Sequence, residues 1–181
     1  MVKNQALFGH YRLKMQELKS AETEDLVRAL GQDSYEQLLT ANRAGGAGAL
    51  METIPNLLKW DNDPLAARYL SIYDVFRYKK GRCGEWAHFA LGVLYLFGVR
   101  RLEMVHDFTD HVWIKVEGSH YDPTLSGEAR YDKTYYARAW KKPYSYIFAI
   151  DINGDIRDVT KDYVPLTLRL RLRRLRKLKR P

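Results

Sequence analysis

Residues 81–99 read GRCGEWAHFALGVLYLFGV, and the reading of this stretch decides the fold. Apolar residues recur on every face of a helical projection: Trp86, Ala87, Phe89, Ala90, Leu91, Val93, Leu94, Leu96 and Phe97. A helix apolar all round is a buried helix, so Cys83–Val99 is expected to run through the core. Gly81 and Gly84 permit a tight entry at its head, and Gly98 stops it. The only cysteine of the chain, Cys83, stands at that head.

Downstream the period changes from helical to alternating. RRLEMVHDF, HVWIKVEG, SHYDPT and YSYIFAIDING read as short strands rich in Val, Ile, Tyr and Phe, with Asn153-Gly154 as a tight turn and DIRDVT as a further short strand. Within HVWIKV the alternation sets Val112, Ile114 and Val116 on one side and His111, Trp113 and Lys115 on the other. Upstream, residues 12–42 are expected to be helical, with Leu13, Leu18, Leu26, Leu30, Leu38 and Leu39 among charges and a break at Gly31. RAGGAG (43–48) is expected to be a flexible turn, Ala49–Lys59 another helix ended by Asn62-Asp63-Pro64, and Leu65–Tyr78 again apolar-periodic. Helices followed by an antiparallel meander define an α+β class.

The length of 181 residues suits one domain with a sizeable core, and 46% hydrophobic residues with 13 tyrosines argue against global disorder. One cysteine forms no internal disulfide and no multi-thiolate zinc site. No secretory signal and no apolar run long enough to span a bilayer is expected, which points to a reducing, cytoplasmic setting. The net charge of +8 is confined to residues 166–181, LTLRLRLRRLRKLKRP: these hold eight Lys or Arg, leaving 22 basic against 22 acidic residues in the body. Arg169, Arg171, Arg173, Arg174, Arg176 and Lys177 are therefore the candidate contacts to nucleic acid, lipid or another anionic partner, against the plainer reading of a solvated tail. The expected division is a helical segment at 1–44, a core at 45–165 and the basic tail at 166–181.

A thiol reacts as its thiolate. A helix N-terminus stabilises an anion through unsatisfied N–H groups, and a neighbouring imidazole accepts the proton. Cys83 satisfies the first condition. Of His10, His88, His106, His111 and His120, the best placed for the second is His111, at the start of an alternating strand. Asp122 follows on the next strand, where a carboxylate fixes the imidazole's tautomer and stabilises its cation. Cysteine, histidine and aspartate in that order is a papain-like arrangement. The alternative is an inert core thiol beside a structural histidine.

These residues resemble the transglutaminase-like core of the peptide:N-glycanases, amidases that remove N-linked glycans from misfolded glycoproteins. GRCGEWA (81–87) resembles that family's nucleophile motif, DFTDHVWIKV (107–116) its histidine segment and HYDP (120–123) its aspartate segment. KKPYSYIFAI (141–150) and IRDVT (156–160) resemble the strands that follow, and LLKWDNDP (57–64) resembles its upstream tryptophan segment. The resemblance covers residues 45–164. It implies a papain-like, transglutaminase-like fold in which N-terminal helices, the nucleophile helix among them, pack on an antiparallel sheet. It implies Cys83 as nucleophile, His111 as base and then acid, and Asp122 as its orienter. Trp60, with an indole N–H for the oxyanion, and Trp113 are implied beside the substrate cleft. Glu85 and Trp86 match the motif next to the nucleophile, where helix capping and core packing are the plainer readings; Asp110 shapes the strand entry. The substrate implied is an N-glycosylated peptide or denatured glycoprotein, and no cofactor is needed.

The chain departs from that family in one place. Its members carry a zinc module with two CxxC pairs between the tryptophan segment and the nucleophile; here LAARYLSIYDVFRYKK (65–80) makes the connection without cysteine. The chain is thus expected to be a minimal form whose groove is either smaller or built by the Leu65–Tyr78 segment. Other members of the superfamily are cysteine proteases or acyltransferases, and a DNA-binding branch has lost the triad, so these classes stand as alternatives.

Overall fold

The computed structural model describes residues 2–63, 71–108, 110–141 and 146–164. Three helices open the chain: α1 (Val2–Ser20), α2 (Thr23–Leu30) and α3 (Gln32–Thr53). Leu18, Leu26, Leu30 and Leu38 point inward as expected, whereas Leu13 lies on the solvent side. Gly31 breaks the run with φ 84°, a left-handed backbone that costs glycine nothing. The glycines of RAGGAG do not form a separate turn. They kink α3, with Gly46 at φ 57°, ψ −142°, and the helix continues beyond.

The helix expected over 49–59 is shorter. Pro55 has no N–H to donate, so α3 ends at Thr53 and tightens into a single 3₁₀ turn, Ile54–Leu57. Lys59–Trp60 (β1) is already extended and pairs in parallel with Lys80–Gly81 (β2). Between them lies α4 (Ile72–Tyr78), capped by the Ser71 hydroxyl accepting the Tyr73 N–H at 3.1 Å.

The long apolar run forms α5 (Cys83–Leu96), in which every residue from Glu85 to Leu94 is buried. Gly92 allows α4 to cross it closely. A Cβ there would stand 2.6 Å from Ile72 Cδ1 and 2.7 Å from Phe76 Cε1. All five later strands form: β3 (Leu102–Asp107), β4 (His111–Val116), β5 (Ser119–Tyr121), β6 (Ile147–Asp151) and β7 (Ile156–Asp158). Their order is β5-β4-β3-β6-β7, antiparallel throughout. This is not a simple meander, because β6 returns on the far side of β3 and sets Ile150 and Ile114 on either side of Met104.

The excursion between β5 and β6 has a structural purpose. It contains a 3₁₀ turn (Gly127–Tyr131) and the short α6 (Tyr135–Arg138). Leu102, Met104, Val112, Ile114, Val116, Phe148 and Ile150 join one hydrophobic cluster with α1–α5. Val105, Trp113, Ile147 and Ala149 join a second with Tyr136 of α6 and Tyr163 of α7 (Thr160–Tyr163). The sheet is covered on both faces, so the alternation read in β4 sorts residues between two interiors rather than between core and water. The architecture is α+β.

Candidate active site

The entry to α5 is built by its own sequence. Gly81 has φ 154° and a Cβ there would fall 2.4 Å from Glu85 Cβ, so this position excludes a side chain. Glu85 accepts the Arg82 N–H at 3.0 Å and is buried, in keeping with a capping role. The Arg82 guanidinium donates to the carbonyls of Asp61 (3.4 Å) and Asp63 (2.6 Å), and Lys80 pairs with Asp61 at 3.1 Å. The segment after Trp60 is thereby tied to the start of the helix. Cys83 is half-buried, with its Sγ 3.8 Å from the Asp110 carbonyl.

His111 and Asp122 meet as the spacing of their strands suggests, with Nε2 to Oδ2 at 2.7 Å. Burial alone would lower the pKa of His111. Hydrogen bonds to Asp122 and Cys83, and the charges on both, outweigh it and raise the pKa to about 9. The thiol and the carboxylate therefore both act on one ring. Asp122 is fully buried. Burial would raise its pKa, but the hydrogen bond and charge of His111 and the hydroxyls of Tyr136 and Thr124 hold it below the usual carboxylate value. Oδ1 accepts the Thr124 N–H (2.8 Å) and hydroxyl (2.7 Å), while Oδ2 accepts His111 and the Tyr136 hydroxyl.

The tryptophans divide. Trp60 is 45% exposed and meets Trp86 edge-on at 6.1 Å, beside the turn that leads into Cys83. Trp86 is buried and packs in the core. Trp113 does not line a cleft: it is fully buried, stacks beneath His111 at 5.8 Å and donates its indole N–H to Tyr163 Oη at 3.0 Å. Its alternation with Val112 and Ile114 turns it into the second interior.

Three contributors were missed in the sequence. Trp140, 46% exposed, stands edge-on to His111 at 5.2 Å. Tyr136 is buried against the same ring at 5.1 Å, and Thr124 closes the turn that holds Asp122. The available signals were the aromatic run YYARAW and a threonine two residues after an aspartate, the spacing of a side chain closing its own turn. A groove of about 310 Å³ runs beside the Asp122 turn, lined among others by Pro55, Trp86, Pro123, Ser126, Arg130 and Tyr135. Among the described residues no group of three or more His, Cys, Asp or Glu is placed to hold a metal ion, and no helix is long and apolar enough to cross a membrane. Arg169, Arg171, Arg173, Arg174, Arg176 and Lys177 lie outside the described residues.

No family model matches the chain. It is similar, over about half its length, to a set of curated amidases. Each is named peptide-N(4)-(N-acetyl-beta-glucosaminyl)asparagine amidase. The rice relative is 38% identical over 100 residues, 51% of this chain and 21% of its own. That of Arabidopsis thaliana is 38% identical over 103 residues (53% and 14%), and that of Saccharomyces cerevisiae 33% over 101 (54% and 27%). The chain thus spans only a fraction of the length of these relatives.

Proposed function

We propose that this chain is a peptide:N-glycanase-like, cysteine-dependent amidase on a papain-like, transglutaminase-like core, carried by residues 45–165 with the 1–44 helices packed on it. The observation that carries the reading is the single imidazole of His111, bonded to Asp122 at 2.7 Å and raised in pKa by both Asp122 and the Cys83 thiol. The named relatives supply the substrate class.

His111 takes the thiol proton, and the Cys83 thiolate attacks the side-chain amide carbon of a glycosylated asparagine. The carbonyl oxygen becomes an oxyanion, for which the Trp60 indole N–H is the proposed donor; one such donor contributes about 3 kcal/mol. The C–N bond breaks as His111 returns its proton to the leaving glycosylamine. Water, losing a proton to His111, then attacks the thioester, releasing an aspartyl peptide and the thiol. The chemistry needs no cofactor.

Mass spectrometry of a denatured glycopeptide tests this directly. The expected product is the intact peptide with Asp in place of Asn, and Cys83→Ala abolishes it while leaving circular dichroism unchanged. Backbone cleavage instead would make the chain a cysteine protease on the same scaffold.

A further inference from the structure

The Tyr136 hydroxyl and the His111 ring donate to the same oxygen of Asp122, Oδ2, inside the protein. Nothing in the proposed reaction uses the phenol. We propose that Tyr136 is a positioning residue that shares the Asp122 carboxylate with His111 and so loosens the carboxylate's hold on the imidazole proton. This deepens the amidase reading and rests on it for its catalytic meaning, though not for its test.

In the proposed reaction His111 must move a proton twice. It has to take a proton from sulfur and then give one to a leaving nitrogen, and an imidazole that binds its proton too tightly fails at the second task. A buried carboxylate facing it with full negative charge would make it such a base. A phenol on the same oxygen offsets part of that charge, and does so more strongly when the imidazole is neutral and the carboxylate is uncompensated. Removing the phenol therefore destabilises the neutral-imidazole state more than the imidazolium state. The other titratable groups around the pair are Cys83 from α5, Asp107 opposite His111 in the β3–β4 ladder, and Lys115 farther along β4. His120 of β5, Asp132 ahead of α6, Tyr163 of α7 and Asp110 immediately before His111 are further such groups. At Asp122 Oδ2 the hydroxyl of Tyr136 donates alongside the imidazole.

Tyr136→Phe keeps the ring and its contacts and removes only the hydroxyl. The His111 midpoint, read by imidazole nitrogen NMR against pH, is expected to move upward from about 9, by the equivalent of about tenfold in proton affinity. A fluorinated tyrosine at 136, a stronger donor, is expected to move it down. Alkylation of Cys83 by iodoacetamide near neutral pH, which needs the thiolate–imidazolium pair but no leaving-group proton, is expected to persist, whereas glycopeptide turnover falls about tenfold or more. An unmoved or lowered midpoint in Tyr136→Phe, or alkylation falling in step with turnover, overturns the proposal. If the midpoints move as expected but wild-type protein converts no glycopeptide, the amidase reading fails and the role of Tyr136 stands.

Discussion

His120→Phe isolates the energetic cost of one buried imidazole. His120 lies 6% exposed on β5, ringed by Trp113, Tyr136 and Tyr163 at 5.7–5.9 Å, and neither ring nitrogen has a hydrogen-bond partner among the described residues. Burial pushes its pKa down to about 4, with His111 and Lys115 adding to the fall and Asp122 and Asp132 opposing it. In the unfolded chain the same imidazole titrates near its ordinary value of 6.5. Between these values the unfolded state binds more protons, so this group removes stability as pH falls from 6.5 towards 4. A separation of about 2.5 pH units corresponds to about 3 kcal/mol. Phenylalanine takes up no proton, so the advantage of the variant over wild type should widen by about 3 kcal/mol between about pH 7 and about pH 4. His10 and His88, also lowered by burial, occur in both proteins and cancel. At neutral pH the gain from not burying a polar ring, about 1–3 kcal/mol, is offset by about 1 kcal/mol of overpacking from the larger side chain. Urea unfolding followed by tryptophan fluorescence at several pH values measures the gap. A gap constant to within about 1 kcal/mol across the range would refute the reasoning, since it would mean that His120 is protonated or well solvated in the fold.

Two further substitutions probe the packing and the charge pair. Gly92→Ala should destabilise by about 1–2 kcal/mol in thermal or urea unfolding, because overpacking against Ile72 and Phe76 outweighs the roughly 1 kcal/mol gain in helix propensity; a stabilised variant would show that α4 and α5 do not cross so closely. For His111, raised to about 9, the stability contributed is complete below its unfolded value of 6.5 and is lost as pH climbs to 9. Wild type should therefore decline by about 3 kcal/mol over that alkaline window while Asp122→Asn stays nearly flat, and an equal decline in both would locate the titration elsewhere.

Much of this was legible because it is periodic or chemically rare. The all-round apolar run of α5 and the alternation of β4 leave little choice of structure, and a lone cysteine at a helix head followed by DHVW and HYDP draws attention to itself. Where the reading failed, a tertiary contact outweighed a local preference. Lys59–Trp60 has no strand signal of its own and becomes extended because Lys80–Gly81 offers it a ladder. RAGGAG looks like a loop, yet buried Leu38 and Leu50 on either side hold it within a kinked helix. The position of β6 beside β3 is a long-range choice that no window of residues encodes. Tyr136 and Trp140 reach the site only after the excursion folds back over the second face of the sheet, so their sequence neighbourhood looks merely aromatic.

The two-residue parallel pairing of β1 with β2 gives the molecule a socket. The chain leaves after Trp60 and returns at Lys80 through one clamped base, with Asp61, Lys80 and Arg82 locking the rim. Lengthening a loop on such a base costs only about 0.6 kcal/mol per doubling of its length. A whole module spliced between Asn62 and Ser71 would thus leave Trp60 and Cys83 at their present spacing, making this the natural port for an insertion.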